Sequence, residues 1–314
     1  MEVSKMSITK YRTLKDVPKE EFLVAGTPLC AGCGALLVIR LFHKALGGNV
    51  VWVNAAGCVT LMATFPYTPL RSSWFYTAMS SAPAGAQGIR DALDILIKKG
   101  KLDPAENLKV VVITGDGAAS DIGLQSASGA IHRGLDFFYL CVDNEAYGNT
   151  GFQASSLSPI GSGTATTKPT HLYPAGNVLP KKDLFEIWRS HRPPYVATIS
   201  PSHVVDMLRK VEKALSFKGP KLFLALCPCP TGWGIEPSES VQLARLAVET
   251  GIWPLKEAVY GEVTHTHIPS KRRPVEDYLK VQRRFAHLFK PIKNEAVIAE
   301  IQKQVDEYWS KVER

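Results

Sequence analysis

Apolar positions along the chain follow two rhythms. "GALLVIRLFHKAL" (34–46) spaces them three and four apart, which predicts a helix. "APAGAQGIRDALDILIKKG" (82–100) reads as a second helix with small residues near its start. "SDIGLQSASGAIHRG" (120–134) reads as a third, with Ser or Asp at its N-cap and Gly at its end. Between these lie short apolar runs with little alternation. "NVVWVNAAGC" (49–58), "LKVVVITGDG" (108–117) and "LDFFYLCVDNE" (135–145) read as strands ending in turns. "YVATIS" (195–200), "PSHVVDMLRKVEKALS" (201–216) and "KLFLALCPC" (221–229) repeat strand, helix, strand. Apolar strands separated by helices of ten or more residues predict an α/β domain, a parallel sheet covered by helices on both faces. Ligands of such sheets bind at the carboxyl ends of the strands, where "TGDG" and "CVDNE" fall.

Two stretches break the rhythm. "FQASSLSPIGSGTATTKPTHLYPAGN" (152–177) is long, polar and directly follows a strand end, which predicts a loop covering a site. From about residue 236, helical segments predict a C-terminal extension packing on the core or on a partner subunit. The division is therefore an α/β domain over 1–235 and a helical extension over 236–314.

Composition narrows the class. Of 314 residues, 45% are apolar and 21% charged, ordinary for a globular protein large enough to bury a sizeable core. "MEVSKMSITKYRTLKDVPKEE" holds no apolar stretch of signal-peptide length, and no run approaches the ~20 residues that span a bilayer. A cytoplasmic protein without a membrane partner is expected. The net charge of +8 is scattered; its densest cluster is "SKRRP" at 270–274, read as a solvated face. Aromatic residues do not interleave with the basic ones, which argues against nucleic-acid binding.

In "GDGAASDIG", Gly115 and Gly117 permit close approach of an anion, and the following helix points its N-terminus at it. Asp116 offers a carboxylate oxygen and Asn144, which follows Gly117 after 26 intervening residues, an amide oxygen. Strand, helix and strand bring both to one edge, where a Mg²⁺ bridging a diphosphate would be held. No Walker loop or dinucleotide fingerprint occurs.

Six cysteines in a reducing compartment point to ligation or redox chemistry rather than disulfides. Cys30 and Cys33 share the loop "PLCAGCGA", Cys58 follows a strand, and Cys229 ends another. Four thiols gathered at one sheet end suit either zinc or a [4Fe–4S] cluster. Cys227 competes with Cys229, two residues away on one face of a strand; Cys141 reads as a buried small hydrophobe.

"GDGAASDIG" with "DNEAYGNTGFQASS", "CAGCG", "NAAGC" and "PCPTGW" resembles the thiamine-diphosphate-binding β subunit of the 2-oxoacid:ferredoxin oxidoreductases, the pyruvate:ferredoxin oxidoreductase family, from about Pro28 to Trp233. The resemblance implies a thiamine-diphosphate-binding fold. It assigns Mg²⁺ to Asp116, Asn144 and the Ala146 carbonyl. It lines the cofactor with Gly57, Cys58, Gly115, Gly117, Ala118, Tyr147, Asn149 and Thr150, with Asn149 near the reacting carbon. It makes Cys30, Cys33, Cys58 and Cys229 the ligands of a [4Fe–4S] cluster. The implied reaction is oxidative decarboxylation of a 2-oxoacid, with electrons leaving for ferredoxin. Other subunits would supply the glutamate that activates the thiamine and further clusters. "TPLRSSWFYTAMSSAPAGAQG" looks closer to the oxalate-oxidising branch, which makes two CO₂ without coenzyme A; pyruvate is the alternative. Many thiamine enzymes carry Asn-Asn where this chain has Asp143-Asn144, so Asp143 has no role assigned by resemblance.

His43, His132, His265 and His267 read as structural, and the aromatic "WFY" at 74–76 as core or interface packing.

Overall fold

The computed structural model describes residues 9–64 and 66–313. One eight-stranded sheet runs in the order β2-β1-β3-β4-β6-β5-β7-β8. Its strands are β1 (Val50–Ala55), β2 (Ser73–Thr77), β3 (Lys109–Gly115), β4 (Phe138–Asp143), β5 (Tyr195–Ile199), β6 (Lys221–Leu226), β7 (Leu255–Val259) and β8 (Glu262–His267). Strands β1 to β6 pair in parallel. The central ones are buried throughout, β4, β5 and β6 at every position, which is why their sequences show no alternation.

The helices are α1 (Gly34–Leu46), α2 (Ala82–Lys98), α3 (Leu124–His132), α4 (Leu184–Ser190), α5 (Val204–Ala214), α6 (Pro230–Trp233), α7 (Ser240–Glu249), α8 (Val275–Leu279) and α9 (Glu295–Val312). They divide between the two sheet faces. Trp52, Val111, Ile113, Leu140 and Phe223 point one way, into α1 and α5. Val53, Val110, Val112, Tyr139 and Leu222 point the other way, into α2, α3, α4, α7 and α9. Alternate strand residues therefore feed two cores, as a period of two requires.

The extension is not purely helical. Its residues 255–267 fold back as β7 and β8, and β7 pairs antiparallel with β5 to lengthen the main sheet. Buried charge hides β7 from a reading of apolar pattern. Glu257 accepts from the Tyr195 hydroxyl at 2.5 Å and pairs with Lys213, so a charged position still faces inward. The aromatic run at 74–76 is also not core: it forms edge strand β2, with Phe75 49% and Tyr76 54% exposed. His265 shares a hydrogen bond with the Tyr308 hydroxyl at 2.7 Å, and the His267 ring lies beside His203, in keeping with structural roles. No helix among the described residues is long and apolar enough to cross a membrane.

Candidate thiamine and cysteine site

The neighbouring strands β1, β3, β4 and β6 each end in one of the expected segments. Beyond β1 come Gly57 and Cys58; beyond β3, Asp116; beyond β4, Asn144; and beyond β6, Cys227 and Cys229. β1 leads outward to β2 on one side and lies beside β3 on the other, the reversal at which parallel sheets open a crevice.

Asp116 is fully buried. Its Oδ2 accepts a short hydrogen bond from the Ser155 hydroxyl, a residue of the long polar loop. Burial, and then the charge of Asp143, push its carboxyl well above the usual range. One terminal atom of the Asn144 amide lies 2.6 Å from the Ala146 carbonyl oxygen and 2.8 Å from Asp116 Oδ1. As nitrogen that atom donates to both; as oxygen it completes three hard donors converging on one point. A buried carboxylate, a carbonyl and an amide oxygen form a set that a small divalent cation stabilises, and such a cation would reverse the upward push on Asp116. The residues therefore fit Mg²⁺.

The glycines act differently from one another. A methyl group on Gly117 would lie 2.3 Å from the Tyr147 ring, so this position must be glycine for Tyr147 to pack. Tyr147 then donates to Asp121 Oδ2 at 3.0 Å, tying the segment after β4 to the helix after β3. Gly115 faces open space. The expected helix from 120 begins earlier, as a π-turn over Ala118–Ile122 closed by the Gly123 N–H on the Ala118 carbonyl at 2.9 Å, before α3 takes over. Asn149 and Thr150 are exposed at the rim, where Thr150 bonds Gln153.

The cysteines come from three loops. Cys30 and Cys33 precede α1, and the Gly34 N–H donates to the Pro228 carbonyl at 3.1 Å, joining that loop to the end of β6. The Thr231 hydroxyl donates to Cys30 Sγ at 3.6 Å and the Gly232 N–H to Cys229 Sγ at 3.3 Å, so both sulfurs border α6. Burial pushes the Cys58 thiol up to about 12, and Cys229, Cys33 and Cys30 push it the same way. Burial likewise raises Cys33 and Cys229, each also raised by its cysteine neighbours. Cys227 is buried, and burial, then Cys33, Asp143, Cys141 and Asp116, push its thiol well up. Cys141 is fully buried. Among the described residues no three His, Cys, Asp or Glu side chains close on a point for a single ion. The donor chemistry, three thiols raised by burial at Cys33, Cys58 and Cys229 together with the exposed Cys30, fits a group that takes them as thiolates.

Gly148 links the two halves of the site. A methyl group there would lie 2.7 Å from the Asn144 amide and 3.2 Å from Cys58 Sγ. The oxygen trio and the sulfur quartet are thus separated at this point by one glycine.

Sequence patterns missed what holds the segment after β4. Glu145 adopts φ +64° and is buried, a costly conformation for a residue with a side chain. Its N–H donates to Asp143 Oδ1 at 2.9 Å and its carbonyl accepts from the Ser158 hydroxyl at 2.6 Å. Lys181 Nζ reaches Asp143 at 2.8 Å and Glu145 at 2.7 Å. Arg284 Nη2 reaches Glu145 at 2.5 Å. Burial opposes ionisation, yet Lys181 and Arg284 hold Glu145 below the usual carboxylate range; burial keeps Asp143 up at about 6. Asp143 therefore anchors the turn that presents Asn144. Glu145 lies inside the quoted "DNE", but nothing local marks Lys181 or Arg284 as its partners.

A parallel α/β sheet with this oxygen trio beside a strand-end glycine turn defines a thiamine-diphosphate-binding domain. Residues 55–224 match the family described as "Thiamine pyrophosphate enzyme, C-terminal TPP binding domain". The chain is 45% identical over 291 residues to pyruvate synthase subunit PorB of Methanocaldococcus jannaschii, covering 92% of this chain and 96% of that protein. It is 39% identical over 303 residues to ketoisovalerate oxidoreductase subunit VorB of Pyrococcus horikoshii, covering 95% and 94%. A chain of the 2-oxoglutarate:ferredoxin oxidoreductase from Magnetococcus marinus shares the fold, with a TM-score of 0.52 and 20% identity over 77% of this chain and 82% of that one. This chain belongs to the family of the pyruvate synthase PorB subunits, thiamine-pyrophosphate-dependent 2-oxoacid:ferredoxin oxidoreductase β subunits.

Proposed function

We propose that this chain binds thiamine diphosphate through Mg²⁺ and a [4Fe–4S] cluster through Cys30, Cys33, Cys58 and Cys229. In association with other subunits it would oxidise pyruvate to acetyl-CoA and CO₂, with ferredoxin as acceptor. The observation that carries this reading is Gly148, which borders both Asn144 and Cys58 and so sets the two groups side by side. Thiamine diphosphate, when bound, supplies the carbanion chemistry of decarboxylation, and an adjacent cluster supplies one-electron acceptance.

The chain's own residues provide placement. Asp116, Asn144 and the Ala146 carbonyl hold the cation, with Ser155 fixing the second oxygen of Asp116. Gly115, Gly117 and Ala118 open the strand end to the diphosphate, and Gly57, Tyr147, Asn149 and Thr150 border it. The four cysteines would bind as thiolates, ligation offsetting the burial that raises Cys33, Cys58 and Cys229. Cys229 is the fourth ligand because it borders α6 with Cys30, whereas Cys227 lies inward. The glutamate that activates the thiamine ring, and further clusters, would come from other subunits.

Seven relatives at 36–45% identity are named as pyruvate synthase subunits, which supports pyruvate over oxalate. Arg71, in the segment that suggested oxalate, is exposed. The ketoisovalerate-named relative makes a branched 2-oxoacid the substrate to compare. The test is anaerobic purification with the partner subunits, assay of iron, sulfide and thiamine, then methyl-viologen reduction with each 2-oxoacid. The expected result is a brown assembly turning over pyruvate with coenzyme A. Turnover of oxalate without coenzyme A would move the substrate to that branch. A colourless, iron-free assembly that retains thiamine would make it a non-oxidative decarboxylase or synthase and overturn the reading.

A further inference from the structure

Arg284 belongs to the extension, far in sequence from every residue of the site, yet its side chain is only 1% exposed. Its Nε donates to Gln282 Oε1 at 2.8 Å and its Nη2 to Glu145 at 2.5 Å. Its Nη1 is buried with no hydrogen-bond partner. The guanidinium stacks on Trp233, 3.9 Å from the ring centroid. Trp233 closes the α6 turn that begins at Cys229, and its Nε1–H donates to the Asn144 carbonyl at 2.9 Å. The backbone of the same segment meets that turn as well: a methyl group on Gly234 would lie 2.6 Å from Arg283 Cβ.

A buried guanidinium with one unpaired N–H is expensive unless something nearby benefits from its charge. Lys181 is shared between Asp143 and Glu145, so Arg284 supplies the second positive charge of this buried cluster. Arg284 also reinforces the bond from Trp233 to the Asn144 carbonyl, adding a second tie between the Asn144 turn, through Glu145, and the Cys229 turn, through Trp233. The stacked guanidinium thereby borders the turn whose Gly232 N–H donates to Cys229 Sγ.

We propose that Arg284 is a positioning residue that locks the Cys229 turn against the Asn144 turn and raises the reduction potential of the centre held by the four cysteines. The inference rests on the cluster assignment above. A fixed positive charge in a water-poor surrounding stabilises the added electron of a reduced cluster, so removing it must lower the potential. Removing the neighbouring negative charge must raise it.

The test is a redox titration of the anaerobic full assembly followed by electron paramagnetic resonance. This chain's signal is identified by its absence from the Cys58→Ser assembly. Arg284→Met is expected to shift that signal's midpoint to lower potential, Arg284→Lys to recover most of the shift, and Glu145→Gln to move it upward. If Arg284→Met fails to assemble, Arg284→Lys and Glu145→Gln still decide the sign. An unchanged midpoint in Arg284→Met, or a downward shift in Glu145→Gln, overturns the proposal. Absence of any cluster signal from the unaltered chain would instead refute the cluster assignment itself.

Discussion

The two halves of the site are built in opposite ways. The oxygen half is fixed by the chain's own bonds. Asp116 is held by Ser155, and the turn carrying Asn144 is clamped by Asp143, Lys181, Glu145 and Arg284. The sulfur half has few such ties. Its thiols sit on three loops and accept bonds from Thr231, Gly232 and the first turn of α1, while burial raises Cys33, Cys58 and Cys229. Rigid hard donors suit a cation with strict geometry, whereas loosely tied thiols gain their order from what they ligate. On the proposed reading, the chain prepares one site and leaves the other to be completed by its occupant.

The largest break in this comparison would come at Asp116. Asp116→Asn removes the only carboxylate of the oxygen trio, and thiamine retention is expected to fall by about 100-fold or more, measured by equilibrium dialysis at saturating magnesium. Iron content should stay unchanged, because the sulfur half does not use this residue. Loss of iron together with thiamine would show that the two halves assemble as one.

Gly148→Ala sharpens the contrast at the boundary. The added methyl meets the Asn144 amide at 2.7 Å and Cys58 Sγ at 3.2 Å. Overpacking of this kind costs roughly 1–3 kcal/mol. The rigid side cannot give, so thiamine affinity should drop by about 10-fold, while the looser cysteine side keeps its iron. Equal loss of both in a titration of each would contradict the difference in stiffness.

A smaller effect separates the two competing cysteines. Cys227→Ala should leave iron per chain unchanged and lower stability by about 1 kcal/mol, as a small core truncation does. Cys229→Ala should lose iron. The same iron loss in both would mean that the inner sulfur is a ligand.

Smallest at neutral pH is the effect of a residue remote from both halves. His43 is fully buried between Phe22 and Trp52, and neither ring nitrogen has a hydrogen-bond partner. Burial pushes it down to about 4. The unfolded chain binds that proton more tightly, so stability is present above about pH 6.5 and is lost as pH falls toward 4. The loss is on the order of 3 kcal/mol at most. His43→Phe should flatten this part of the curve in urea titrations across pH 4–7; an unchanged slope would show that other groups set it.

How much of this could be read from residues alone follows from the same contrast. The central strands were legible because burial on both faces leaves unbroken apolar runs such as "KVVVITG". Asp116, Asn144 and the cysteines were legible because their chemistry is concentrated in short motifs at strand ends. Strand β8, "EVTHTH", carries no apolar run and is largely exposed, and β7 buries Lys256 and Glu257, so both escaped a reading based on hydrophobic pattern. Arg284 escaped because its partner Glu145 lies 139 residues away, and no local spacing encodes that distance. Gly117 was expected to admit an anion; its tightest neighbour is the Tyr147 ring, a contact visible only once the segment after β4 is in place.

The most direct test of the account is to add pyruvate alone, without ferredoxin, to the anaerobic assembly and follow this chain's cluster by electron paramagnetic resonance. The account predicts a reduced-cluster signal in the unaltered protein that disappears in both Asp116→Asn and Cys229→Ala. A signal from this chain that persists in Cys229→Ala, or no pyruvate-dependent signal in the unaltered assembly, would contradict it.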